Sequence, residues 1–129
     1  KGALGYVEYA YVKKNNMTFL QLQNADGKYV SPDDATFAAA AASADWFSVP
    51  GMGISMVNAK GANSWPVSTA SFILMYADPA DKAQSAEVLK FFDWAFKNGK
   101  TMAADLDYVP LPDTLTAQIR SKVWSQIKK

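Results

Sequence analysis

The chain has 129 residues, half of them hydrophobic, which is enough for one modest domain with a buried core. Its 13 Lys and Arg nearly balance its 12 Asp and Glu, so it has no cationic excess with which to neutralise the phosphates of a nucleic acid. It contains no His and no Cys, which excludes disulfides, thiol and imidazole catalysis and the usual zinc sites. No stretch approaches the roughly 18 consecutive apolar residues of a membrane span.

The first third of the chain predicts short elements. Residues 4–7 resemble a buried strand that turns into a helical segment ending at residues 13–16. Residues 17–23 and 28–30 flank a Gly-containing turn, which predicts a hairpin. Ser31 before Pro32 predicts a hydroxyl N-cap for a helix through the Ala-rich residues 35–44.

The rest of the chain predicts one long strand and two helices. Residues 61–64 form a small-residue connector, and Trp65-Pro66 then leads into a strand over residues 67–76. Residues 82–98 have helical apolar spacing, with Gly99 predicted as the C′ residue. A last helix begins near Pro112-Asp113 and places Leu115, Ile119, Val123 and Ile127 in steps of four, with Lys128 and Lys129 at the negative end of its dipole. Alternating helices and strands predict the α/β class.

Several residue patterns suggest a site, and each has a plainer interpretation. Gly51-x-Gly53 is read as a turn, because the further residues of a nucleotide-binding loop are missing. The pairs Asp33-Asp34 and Asp105-x-Asp107 could bind a cation, but helix capping and turn formation explain them better. Four aromatic residues on one helix, Phe91, Phe92, Trp94 and Phe96, are expected to pack between a sheet and a neighbouring helix. Arg120 is read as a solvated surface charge. No metal ligand and no catalytic residue is assigned.

Five blocks in order resemble the C-terminal part of the periplasmic phosphate-binding protein of the bacterial phosphate ABC importer. They are GALGYVEYAY (2–11), ADW (44–46), ANSWPVS (62–68), EVLKFFDWA (87–95) and DYVPLP (107–112), and the resemblance covers nearly the whole chain. Family members are about two to three times longer, as expected of two-lobed receptors. The resemblance therefore implies a fragment of a two-lobed α/β fold of the type II periplasmic-binding-protein class.

The resemblance also implies how the fragment is divided. Residues 1–64 would form the end of the second lobe, and residues 65–129 would supply a returning hinge strand and complete the first lobe. The hinge residues would be Trp65, Pro66, Val67 and Ser68. This boundary coincides with the change in composition between residues 61 and 66.

By this resemblance the parent protein captures inorganic phosphate in the periplasm and delivers it to the permease subunits of an ABC importer, without catalysis or a cofactor. The segments that contact phosphate in the family lie in its N-terminal portion, so no phosphate ligand is assigned to this chain. The chain is expected to provide scaffold, hinge and docking surface.

Two other functions remain open on the residues: a secreted phosphatase-like relative on the same scaffold, and a stand-alone interaction domain. Because the fragment cuts through both lobes, it should expose apolar surface. We therefore expect it to require a companion N-terminal chain or self-association.

Overall fold

A computed structural model describes residues 2–128 of the chain. In this range five α-helices and one two-stranded antiparallel sheet are connected by long irregular segments. Their bounds are α1 Tyr9–Lys14, β1 Leu22–Gln23, β2 Tyr29–Val30, α2 Asp34–Ser43, α3 Lys82–Asn98, α4 Lys100–Asp105 and α5 Asp113–Gln118. No helix among residues 2–128 is both long and apolar enough to cross a membrane.

The predicted hairpin is confirmed, although its paired part is short. Leu22 pairs with Val30, and Gln23 pairs with Tyr29. Gly27 adopts a φ of 74° in the connecting turn, a conformation that glycine adopts without steric cost.

The predicted Ala-rich helix is also confirmed as α2, but its N-cap was assigned to the wrong residue. Asp33 is the N-cap, and its Oδ1 accepts a hydrogen bond of 2.8 Å from the backbone N–H of Thr36. Thr36 Oγ1 accepts a bond in return from the backbone N–H of Asp33, which completes a capping box. The Ser31 hydroxyl instead accepts a bond from Gln21, because the chain places Asp33 and not Ser31 at the helix end.

Helix α3 has the predicted bounds, but Gly99 lacks the left-handed conformation that is usual at a C′ residue. Its φ is −85°, and its N–H donates to the Ala95 carbonyl at 2.7 Å. A Cβ on Gly99 would lie only 2.6 Å from the same carbonyl oxygen. Glycine is therefore needed for close backbone approach, and the chain continues directly into α4.

The last predicted helix is interrupted. Helix α5 ends at Gln118 and is followed by a π-helical turn, Ile119–Val123, and a 3₁₀ turn, Trp124–Gln126. The last turn ends at Gln126 with Ile127 as its C-cap, so Lys128 lies beyond it. Lys128 forms an ion pair with Asp78, and its N–H donates to the Ala77 carbonyl. Lys129 lies outside the described residues.

Two predicted strands are wrong within the described residues. Residues 4–7 and 67–76 contain no paired strand, since the sheet consists of β1 and β2 alone. A strand is stabilised by hydrogen bonds to a neighbour, and the described chain offers no neighbour to either segment. Residues 2–128 are thus mainly helical and irregular, with a single two-stranded sheet.

The core is small and joins distant parts of the chain. Its buried members are Ala40, Ala41, Trp46, Met56 and Leu115. Four of them precede residue 64, and Leu115 belongs to α5. With the partly buried Ala70, Leu111 and Ile119, Leu115 packs the second half of the chain against the first.

Candidate functional site: the crossing segment and the surface around it

The predicted hinge residues form a buried segment that is tied to the preceding part of the chain. Trp65 and Ser68 are each 9% exposed, whereas Val67 points outward and is 61% exposed. The Trp65 N–H donates to the Thr36 carbonyl of α2 at 3.1 Å. The Pro66 carbonyl accepts a bond of 2.7 Å from the N–H of Asn58. The backbone of this segment is thus fixed at two points to residues 36–58.

Side chains add to this attachment. The Trp65 ring meets Phe37 edge to face, with ring centroids 6.3 Å apart. The Ser68 hydroxyl donates to the Trp65 carbonyl at 3.1 Å, which closes a turn at the end of the segment. We refer to residues 64–68 as the crossing segment.

Sequence reasoning missed Asn24, which holds the loop just before the crossing segment. Its side chain is buried in the turn of the hairpin and is 5% exposed. The Nδ2 group donates to three carbonyls, those of Gly61 at 3.2 Å, Ala62 at 2.9 Å and Ser64 at 3.3 Å. A single Asn after a strand reads as turn chemistry, so no signal in the sequence indicated this contact.

The other side of Asn24 is equally occupied. Its Oδ1 accepts from the backbone N–H groups of Asp26 at 3.1 Å and Lys28 at 3.0 Å. Both lone pairs and both amide hydrogens are therefore used, as expected of a buried polar group. This one side chain makes most of the hydrogen bonds that hold the hairpin turn to the 61–64 loop.

An open depression of about 310 Å³ lies between the end of α2 and α5. Its lining includes Asp45 and Trp46 on one side and Thr114, Leu115 and Gln118 on the other. No Lys or Arg contributes to this lining, so the depression offers no cation to an anionic ligand.

The two Asp pairs have structural roles. Asp33 caps α2, and Asp34 lies in its first turn. Asp107 adopts a φ of 60° in a turn and forms an ion pair with Lys13. In residues 2–128 no three His, Cys, Asp or Glu side chains converge as metal ligands would. Gly51 and Met52 have positive φ values in a 3₁₀ turn, so the Gly51-x-Gly53 pattern is a turn as predicted.

The interpretation of Arg120 as a solvated charge is wrong. Its Nε donates to Asp93 Oδ1 at 2.6 Å, and only 31% of its side chain is exposed. The guanidinium lies 5.6 Å from the Phe96 ring and 6.0 Å from the Trp124 ring, and these two rings stack on each other. Hydrogen bonds from Lys97 and then Arg120 lower the pKa of Asp93. Arg120 thus joins α3 to the π-helical turn.

Two contacts hold α1 against the turn that follows α4. The Lys13 ammonium donates to the Asp107 carboxylate, and this hydrogen bond raises the pKa of Lys13. The Glu8 carboxylate near the Tyr108 hydroxyl raises the pKa of Tyr108. Residues 8–13 are therefore in contact with residues 107–108.

The surface is larger than that of a compact monomer, and many large apolar side chains are exposed on it. The accessible surface is 9173 Å², against about 6,700 Å² for a globular protein of 14.1 kDa. Exposed apolar side chains are concentrated in residues 72–76, where Leu74 is 92% and Tyr76 is 84% exposed. On α3, Phe91 and Trp94 stack on each other and remain about half exposed. The sheet that was expected to cover this helix is not present in residues 2–128.

Comparison with known proteins identifies what kind of chain this is. No protein-family model matches it. The phosphate-binding protein PstS of Pasteurella multocida is 45% identical over 99% of the chain, and that of Haemophilus influenzae is 42% identical over all of it. The PstS of Xylella fastidiosa is 44% identical over 99% of the chain. The chain spans only 35–39% of the length of these relatives.

The chain is matched throughout its length by part of these longer proteins. It matches the C-terminal part of the phosphate-binding protein PstS. The resemblance found in the sequence is thereby confirmed.

Proposed function

We propose that this chain is the C-terminal portion of a receptor that captures inorganic phosphate in the periplasm and delivers it to an ABC importer. The observation that carries the proposal is the 42–45% identity to phosphate-binding proteins over essentially all of the chain. This level of identity does not favour the phosphatase-like alternative, since the matched proteins are named for binding. The receptor acts by binding and releasing its ligand, without covalent chemistry.

The proposed receptor has the two-lobed α/β fold, and the chain contributes to both lobes. Residues 1–64 end the second lobe, and residues 65–129 complete the first. Trp65, Pro66, Val67 and Ser68 form the hinge strand between them. The bonds from the crossing segment to Thr36 and Asn58 support this division, because a hinge needs a firm attachment on at least one side.

The phosphate ligands lie in the N-terminal portion of the receptor. Two features of this chain support that assignment. Arg120, the single Arg of the chain, is engaged with Asp93 and two aromatic rings. The depression beside Trp46 is lined by a carboxylate and by no cationic side chain.

The exposed apolar surface is the place where the rest of the receptor packs. Residues 72–76 and the Phe91–Trp94 face of α3 would receive the missing strands and helices. Without a companion N-terminal chain the fragment would cover this surface by self-association. Other parts of the surface would dock on the permease subunits.

Isothermal titration of the full-length protein tests the function. Phosphate should bind with a 1:1 stoichiometry, and sulfate should bind at least about a hundredfold more weakly, a difference of about 2.7 kcal/mol. Absence of phosphate binding, or equal binding of sulfate, would reject the proposal. Turnover of a generic phosphomonoester would instead support the phosphatase-like alternative.

A further inference from the structure

We infer that Asn24 is the positioning residue of the proposed hinge. It holds the loop before the crossing segment to the hairpin, so that the chain bends after Pro66 when the two lobes close. The inference rests on the proposed function. It adds a residue and a mechanical role that the resemblance does not supply.

The first support is the geometry around Asn24. One side chain satisfies three carbonyls within four consecutive residues, and these residues immediately precede Trp65. The contact spans 37 to 40 positions along the chain, so it cannot be a local turn device. It is also buried, and buried polar contacts hold geometry firmly because an unpaired group there is costly.

The second support is that neighbouring contacts continue the same attachment. The Gly61 N–H lies 3.4 Å from Asp26 Oδ1, and the Ser64 hydroxyl donates to the Lys60 carbonyl at 2.7 Å. Gly61 has a φ of 115°, and a Cβ there would lie 2.9 Å from Ser64 Oγ. The loop is thus tightly fitted from Lys60 to Ser64.

The third support is where the attachment ends. After Ser68 the backbone of residues 69–76 pairs with no strand in the described chain. Up to Pro66 the backbone is bonded to residues of the proposed second lobe. Bending should therefore concentrate beyond Pro66, where backbone bonds are few. Such bending would separate the side-chain contacts of Ala70, Phe72 and Leu115 with residues 40–56, while the bonds of residues 61–66 stay closed.

The substitution Asn24→Asp in the full-length receptor tests the inference with almost no change of shape. A carboxylate oxygen would replace Nδ2 opposite three carbonyl oxygens, so three donated bonds are lost and the contact becomes repulsive. We expect phosphate to dissociate about tenfold faster in stopped-flow measurements, a loss of about 1.4 kcal/mol, with the association rate unchanged. Asn63→Asp is the matched control, because Asn63 is exposed in the same loop; it should leave both rates unchanged.

Equal rates in Asn24→Asp and the wild type would overturn the positioning role and leave the proposed function intact. If the wild-type receptor fails to bind phosphate, the proposed function is rejected and the inference with it.

Hydrogen exchange of the wild-type receptor decides the matter even if Asn24→Asp does not fold. The amides of Asp26, Lys28 and Trp65 should be equally protected with and without phosphate, since the attachment is expected to stay closed in both states. If these amides exchange faster in one of the two states than in the other, the attachment opens in that state, and the inference is overturned.

Discussion

The crossing segment and the segment that follows it are adjacent in sequence but differ in their surroundings. Ser64 is 1% exposed and its loop is bonded to Asn24, whereas Leu74 is 92% exposed and lies in a stretch without strand pairing. Both segments contain large apolar residues of the kind that are usually buried. The difference teaches that the first segment finds its hydrogen-bond partners in this chain, whereas residues 69–76 find no strand partner among residues 2–128.

The largest effect is expected where the partners are absent. In the full-length receptor Leu74→Asp should lower the free energy of unfolding by about 4 kcal/mol, because it places a charge in an apolar contact. In the isolated chain the same change should reduce self-association, measured by sedimentation, since Leu74 is exposed there. Ala80→Asp in the following turn is the control and should do neither. If full-length Leu74→Asp melts like the wild type, Leu74 is not in an apolar contact there, and the two segments do not differ as described.

A somewhat smaller effect is expected in the crossing segment itself. Trp65→Ala in the full-length receptor should cost about 3 kcal/mol, because it removes the ring that packs against Phe37 and leaves a cavity. Trp65→Phe keeps an aromatic contact and should cost clearly less. Denaturant unfolding of the two variants measures the difference. Equal stability of Trp65→Ala and the wild type would show that this segment is not an anchor.

The smallest effect is expected from the ion pair that joins α3 to the π-helical turn. The pKa of Asp93 is lowered in the folded state by Lys97 and Arg120, so its contribution is complete above the unfolded carboxyl pKa and is lost as the pH falls through the folded value. Stability should therefore fall below about pH 4, and Asp93→Asn should flatten this dependence. Lys97→Met should flatten it partly. Thermal melts from pH 2 to 6 measure the curves, and parallel curves for Asp93→Asn and the wild type would contradict the assignment.

Local patterns predicted local structure well. The apolar spacing of residues 82–98 and the turn residues around Gly27 require only neighbours a few positions away, and α3 and the hairpin lie where they were expected. The predicted N-cap of α2 was two residues too early. Ser31 and Asp33 carry similar capping groups, and only the path of the backbone selects one of them.

The candidate site was only partly visible in the sequence. The change of composition around residues 61–66 drew attention to Trp65 and Pro66, whose burial the structure then revealed. Asn24 could not be found in this way, since its partners lie 37 to 40 positions away. Arg120 was misread for the same reason, because Asp93 lies 27 positions before it.

The sequence by itself determined the resemblance to phosphate-binding proteins, the helices with strong periodicity and the absence of His and Cys chemistry. Only the tertiary structure decided that residues 67–76 remain unpaired, that Asn24 fastens the loop before the crossing segment, and that Leu115 shares a core with Trp46. The physical reason is that helices and turns are stabilised within a few residues. Strand pairing and burial depend on what the rest of the molecule brings into contact.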